Sequence, residues 1–149
     1  MNVGPAERSD IPQLLPLYRH LNPDDAELSA AEAQDRWETL KRLPGSEVFV
    51  AREDDHLVAT CTLIVIPNLT RGGAPYALIE NVVTDAAHRR RGYGKAVLLE
   101  AIAAAWRADC YKVMLLTGSK EPGTLQFYRD VGFAQDKTGF QVRRISARG

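Results

Sequence analysis

The run His88-Arg89-Arg90-Arg91-Gly92-Tyr93-Gly94-Lys95 constrains this chain most, because it stands between a β-type stretch ending near Thr84 and an amphipathic helical stretch. A strand that turns through such a junction into a helix must lie in a sheet which that helix covers, so the class is α/β or mixed α+β. Glycine lets backbone N–H groups approach a ligand closely, and the helix N-terminus adds about half a positive charge at the same point. The arrangement suits a phosphate or pyrophosphate. Neither GxxxxGK[ST] nor GxGxxG occurs here, which disfavours an NTPase or a dinucleotide dehydrogenase. The alternative is a solvated basic turn, the ordinary fate of a charge run. The two glycines and the strand-to-helix position favour the anion site.

The rest of the chain supplies a sheet for that junction. Val3 to Glu7 reads as a first strand, and Ser9 or Asp10 followed by Ile11 and Pro12 has the form of a helix start. That helix is expected to run to about Leu21, with a kink or irregular turn at Pro16. Ser29 and Glu32 fit a capping box that opens a second helix to about Leu43, ended by Pro44 and Gly45. Glu47 to Arg52 and Leu57 to Ile66 read as a hairpin around Asp54, Asp55 and His56. Asn68 to Pro75 has loop composition, Tyr76 to Thr84 is a further strand, and the helix after the basic turn runs from Tyr93 to about Arg107. Tyr111 to Thr117 is expected to be a buried strand. A helix over Pro122 to Val131 and two short strands near Phe133 and Phe140 complete a mixed sheet with helices on both faces.

A chain of 149 residues suits one domain, so residues 1–149 are expected to fold as a single unit. Nineteen Lys and Arg balance nineteen Asp and Glu, which removes the global field expected of a nucleic-acid binder. The longest apolar stretch, Leu57 to Pro67, falls short of a membrane span, and the N-terminus lacks the apolar core of a secretory signal. The expectation is a cytoplasmic protein with neither membrane nor nucleic-acid partner. Cys61 and Cys110 lie in apolar contexts as free thiols, and no His/Cys cluster has metal-ligand spacing, so no metal is expected.

Arg89-Arg90-Arg91-Gly92-Tyr93-Gly94 fits the [QR]xxGx[GA] signature of the GNAT N-acetyltransferases, and it follows Val82-Val83-Thr84 as that signature follows the family's coenzyme-pairing strand. Phe127-Tyr128-Arg129-Asp130-Val131-Gly132-Phe133 resembles the family's FYxxxGF ending. Ile79-Glu80-Asn81-Val82-Val83 and Cys110-Tyr111-Lys112-Val113 are similar to the branch containing glucosamine-6-phosphate N-acetyltransferases. The resemblance implies the acyl-CoA N-acyltransferase fold: a mostly antiparallel mixed sheet with a V-shaped splay between the fourth and fifth strands. Acetyl-CoA is the implied co-substrate and a small-molecule amine the implied acceptor. The amino-sugar branch further implies a homodimer, to which the tail residues Arg143, Arg144 and Arg148 would contribute if they are not a solvated edge.

By the same resemblance, backbone groups of Val82, Val83 and Thr84 pair with the pantetheine arm, and N–H groups from Arg89, Arg90, Arg91, Gly92, Tyr93, Gly94 and Lys95 hold the pyrophosphate. An alkyl ammonium has a pKa near ~10, so transfer to an amine needs a base. Glu80 is the candidate, acting directly or through one water, and simple strand alternation places it with Leu78, Val82 and Thr84. The other reading of Glu80 is a carboxylate on a solvated face or paired with arginine. The Val82 N–H is the candidate oxyanion donor, and Tyr128 the candidate donor to the leaving thiolate, against a reading of Tyr128 as core packing with Leu125. Tyr18, Arg19, Asn22 and Arg71 are candidate acceptor contacts. Glu121 and Thr124 depart from the Asn and Ala common in the family, so no coenzyme contact is assigned to the Gly118–Gly123 loop. The competing function is a coenzyme-binding sensor without turnover.

Overall fold

The computed structural model describes residues 1–146, so Arg148 lies outside the described residues. It divides into two compact units, Met1–Leu115 and Leu116–Gly149. In the first, five strands stand in sequence order: β1 (Asn2–Pro5), β2 (Glu47–Glu53), β3 (His56–Ile66), β4 (Tyr76–Thr84) and β5 (Val113–Met114). The first four pair antiparallel and β5 joins β4 in parallel, as the mixed, mostly antiparallel expectation requires. Helices α1 (Ile11–Tyr18) and α2 (Ala30–Lys41) cover one face, and α3 (Tyr93–Arg107) covers the other.

Local chemistry explains most boundaries. At the β2–β3 turn, Asp54 and Asp55 have φ of 48° and 67°. Two successive left-handed residues make the turn that matches the twist of paired strands, and the short polar Asp side chain tolerates it. The Ser29–Glu32 capping box opens α2, its Ser29 hydroxyl accepting the Glu32 N–H at 3.1 Å. Pro16 does not break α1; the helix passes through it and ends at Tyr18. Beyond that point the amides of Arg19, His20 and Leu21 bond three residues back, so the stretch predicted as the end of the helix tightens into a 3-10 turn. Asp10, buried before α1, accepts two bonds from Arg52 on β2 at 2.8 and 2.6 Å and one from the Glu7 N–H at 2.7 Å. The Arg52 guanidinium holds the Asp10 carboxyl below the usual carboxylate range against the opposing effect of burial.

The core under α3 is dry. Val97, Leu98, Ala101 and Ala105 are fully buried at helical spacing against Leu63 and Ile79, which are cross-strand partners. Each such side chain contributes roughly 1.5–3 kcal/mol by leaving water, Ala less. The expected strand over 111–117 reduces to Val113–Met114, and its side chains are only half-buried. An apolar run alone does not make a strand; it needs a partner edge, and β4 offers β5 only Ala77 and Leu78.

The second unit contains α4 (Pro122–Val131), opened by Pro122 after Glu121 and closed by Gly132 at φ 122°. The two terminal strands expected near Phe133 and Phe140 do not form among the described residues. Phe140 and Val142 are instead 90% and 99% exposed, and their backbone has no ladder partner among the described residues.

Candidate active site

Strand β4 carries the site because its pairing is irregular on both edges. Toward β3, Thr60 faces Val83 and Thr62 faces Glu80, so Cys61 stands opposite two residues, Asn81 and Val82. The extra residue is a β-bulge, and Asn81 takes the left-handed conformation at φ 53° that Asn tolerates. Toward β5, pairing stops at Leu78, although β4 continues to Thr84. From Ile79 onward no strand among the described residues covers that edge, and the sheet opens there as the V-shaped splay expected between the fourth and fifth strands.

The bulge corrects one expectation about direction. Glu80 shares a face with Leu78, but Val82 and Thr84 are turned to the opposite face, and buried Val83 takes their place on the Glu80 side. Simple alternation fails because one added residue inverts the pleat for everything after it. Glu80 therefore belongs to the α1 face together with its cross-strand partner Thr62. The Tyr18 phenol stands there in hydrogen-bonding contact with the Thr60 and Thr62 hydroxyls. Burial pushes this phenol up from its ordinary value, and the threonine hydroxyls offset only part of the effect, so it stays neutral and able to donate.

On the other face, Cys61 donates its thiol to the Val97 carbonyl at 3.4 Å. Burial pushes this thiol up to about 12, which leaves no thiolate to attack a thioester. Cys110 is raised as well, by burial and then by Asp109. A covalent cysteine route has no candidate nucleophile here.

The basic turn has the geometry of an anion cradle. Arg90 and Gly92 have φ of 63° and 85°. A Cβ at Gly92 would meet only Met1 Cε at 3.8 Å, so the left-handed backbone, not crowding, is what calls for glycine. The first helical bond of α3 runs from the Ala96 N–H to the Gly92 carbonyl at 3.0 Å. The N–H groups of Tyr93, Gly94 and Lys95 precede that ladder and point out of the helix end. Arg89, Arg90, Arg91 and Lys95 are all exposed, and Arg91 lies 3.4 Å from Glu53.

The remaining candidates divide. Arg19 is ion-paired with Glu27, and Asn22 is exposed with its carbonyl accepting the Asp25 N–H at 3.2 Å. Arg71 stacks over the Tyr111 ring at 5.5 Å, while Lys112 lies 5.4 Å from both the Tyr76 and the Tyr111 rings. This pair of cations on a pair of aromatics sits where β4 begins, at the opposite end of the strand from the glycine turn. Sequence reasoning missed Lys112, Tyr76 and Thr62; only pairing across the sheet brings them to the site. In the second unit, Tyr128 packs with Phe127 and Phe133, ring centroids 5.1 and 6.2 Å away. No group of three or more His, Cys, Asp or Glu is placed to hold a metal among the described residues, and no described helix is long and apolar enough to cross a membrane.

The acetyltransferase (GNAT) family profile matches residues 13–133. The glucosamine 6-phosphate N-acetyltransferase of Trypanosoma brucei brucei is 33% identical over 129 residues, covering 85% of this chain and 84% of the relative. A solved structure from Agrobacterium tumefaciens str. C58 superposes with a TM-score of 0.91 at 50% identity, over 97% of this chain and 100% of the other. The glucosamine-6-phosphate N-acetyltransferase of Arabidopsis thaliana has a TM-score of 0.88 over 97% of this chain and 98% of its own, at 20% identity, which speaks for the fold alone.

Proposed function

Because the chain belongs to the acetyltransferase (GNAT) family and is an acetyl-CoA-dependent N-acetyltransferase, we propose that its acceptor is the amine of a small phosphorylated amino sugar, glucosamine 6-phosphate or a close analogue. The observation that carries this reading is the bulge at Asn81. It leaves Glu80 on the side of Tyr18 and Thr62 and turns Val82 and Thr84 to the other face, where β4 has lost its β5 partner. A carboxylate, a neutral phenol and hydroxyls then share a face with an unpaired strand edge.

The residues present fit the coenzyme. The uncovered edge of Val82, Val83 and Thr84 offers backbone donors and acceptors to an extended amide chain. The amides ahead of the α3 ladder, with Arg89, Arg90, Arg91 and Lys95 around them, suit a pyrophosphate. Bound there, acetyl-CoA supplies an activated acetyl group. Glu80 takes the proton of the acceptor ammonium, directly or through one water, and the Tyr18 phenol orients the amine. The Val82 N–H stabilises the charge that develops on the acyl oxygen, and Tyr128 donates to the departing sulfur. Arg71 and Lys112, with Tyr76 and Tyr111, supply cationic charge for the acceptor's phosphate. Arg19 and Asn22 line the acceptor side beyond Tyr18. We further propose that residues 1–149 act as one domain, and that the protein works as a homodimer in the cytoplasm with neither metal nor nucleic-acid partner.

Thiol release measured against a panel of amines tests the acceptor. Glucosamine 6-phosphate should give a kcat/KM about a hundredfold above that of glucosamine, since a pair of charge-assisted contacts to the phosphate is worth about 3 kcal/mol. Equal rates for the two sugars would remove the phosphate from the proposal.

A further inference from the structure

The turn between β4 and α3 contains a polar knot that acetyl transfer itself does not use. His88 Nδ1 lies 2.9 Å from Asp85 Oδ2, and Nε2 of the same ring lies 2.9 Å from Glu53 Oε2. A neutral imidazole carries one N–H and would turn a lone pair toward one of these carboxylates. Two such contacts call for the imidazolium. The neighbours are charged or titratable on every side. Arg91 reaches Glu53 at 3.4 Å and His20 stands 3.7 Å from Asp85. The Tyr93 ring meets His88 edge-on at 6.4 Å, its phenol bonded to Glu53 with Asp54 close by. Burial acts to raise Asp85, but the Ala87 N–H, the His88 ring and the two histidine charges together hold its carboxyl below the usual range.

His88 thus ties the turn to the end of β2, and its partner Asp85 reaches on to His20 after α1. It lies at the base of the residues whose N–H groups suit the pyrophosphate. Without its charge, Glu53 would keep only the longer Arg91 contact and Asp85 only the more distant His20, leaving two poorly balanced carboxylates beside an anion site.

We infer that His88 is a positioning residue for acetyl-CoA: as an imidazolium held between Asp85 and Glu53, it ties the glycine turn to the β2–β3 hairpin and neutralises the carboxylates beneath the pyrophosphate. The inference rests on the N-acetyltransferase reading above. It concerns how well the coenzyme is held, not the rate of transfer once it is bound.

The test is calorimetric titration of acetyl-CoA into wild type and His88→Gln from about pH 5.5 to about pH 8.5, with steady-state kinetics and a melting curve for each. At the acid end the variant should raise Kd and the KM for acetyl-CoA about tenfold while kcat at saturating coenzyme stays within about twofold. His88→Lys, which keeps a positive charge between the two carboxylates, should bind acetyl-CoA within about threefold of wild type, and a loss of about tenfold there would overturn the inference even if His88→Gln fails to fold. Matching Kd and pH profiles in the two proteins, with or without a lower Tm, would assign His88 to structure alone and overturn the inference while leaving the acetyltransferase reading intact. No acetyl-CoA binding by folded wild type at any pH would overturn that reading and the inference with it.

Discussion

The two faces of the β3–β4 pair are built from the same strands and do different work. On the α3 face, Leu63, Ile79 and Cys61 are fully buried against Val97 and Leu98, and the buried Cys61 thiol is consumed by a backbone carbonyl. On the α1 face, Thr60, Thr62, Tyr18 and Glu80 form a polar patch of one carboxylate and three hydroxyls. A single added residue at Asn81 separates the two. Before it, odd-numbered β4 residues face α3; after it, even-numbered ones do. Regular packing fills one side, and on the other a carboxylate and hydroxyls gather beside a local irregularity in the strand.

Deleting Asn81 is the most direct way to break the comparison. The shortened strand would keep Val82, Val83 and Thr84 on their present faces but lose the bend and added twist of the bulge, and transfer activity should drop by at least about a hundredfold as the strand edge shifts against the proposed base. A deletion variant that melts cooperatively yet keeps activity would mean that the bulge has no part in catalysis.

Leu98→Ala probes the dry face. Chemical denaturation should show a loss of about 2–5 kcal/mol, with kcat of the folded fraction unchanged, because the cavity opens away from the polar face. A large kcat change would mean that the faces are mechanically coupled. Smaller still is the expected effect of Cys61→Ala, which should keep kcat within about twofold and cost about 1 kcal/mol of stability. Abolished turnover with the fold intact would revive a covalent route.

Much of this molecule is legible in its sequence, and the reasons are local. Strand β4 and helices α3 and α4 have the bounds that their periodicity and end signals predict, with Gly92 ahead of Tyr93 and Pro122 opening α4. The glycine turn is legible for the same reason: it depends on residues adjacent in the chain. The bulge is not, because Ile79-Glu80-Asn81-Val82-Val83 reads as an unbroken strand until β3 is laid beside it. The shortness of β5 is equally hidden, since the run from Val113 to Leu116 is apolar whether or not an edge is there to pair with it. Glu53 lies in a hairpin and His88 in a turn, and nothing in the spacing between them foretells that they meet.

On the proposed reading, turnover depends on Glu80. Thiol release by wild type and Glu80→Gln, at saturating acetyl-CoA with glucosamine 6-phosphate as acceptor, measures that dependence directly. The expected result is a kcat lowered by about 10²- to 10⁴-fold with acetyl-CoA affinity within about twofold of wild type. A Glu80→Gln enzyme that turns over at the wild-type rate would contradict the assignment of the base, and a wild type that binds acetyl-CoA but acetylates no amine would make the chain a coenzyme sensor.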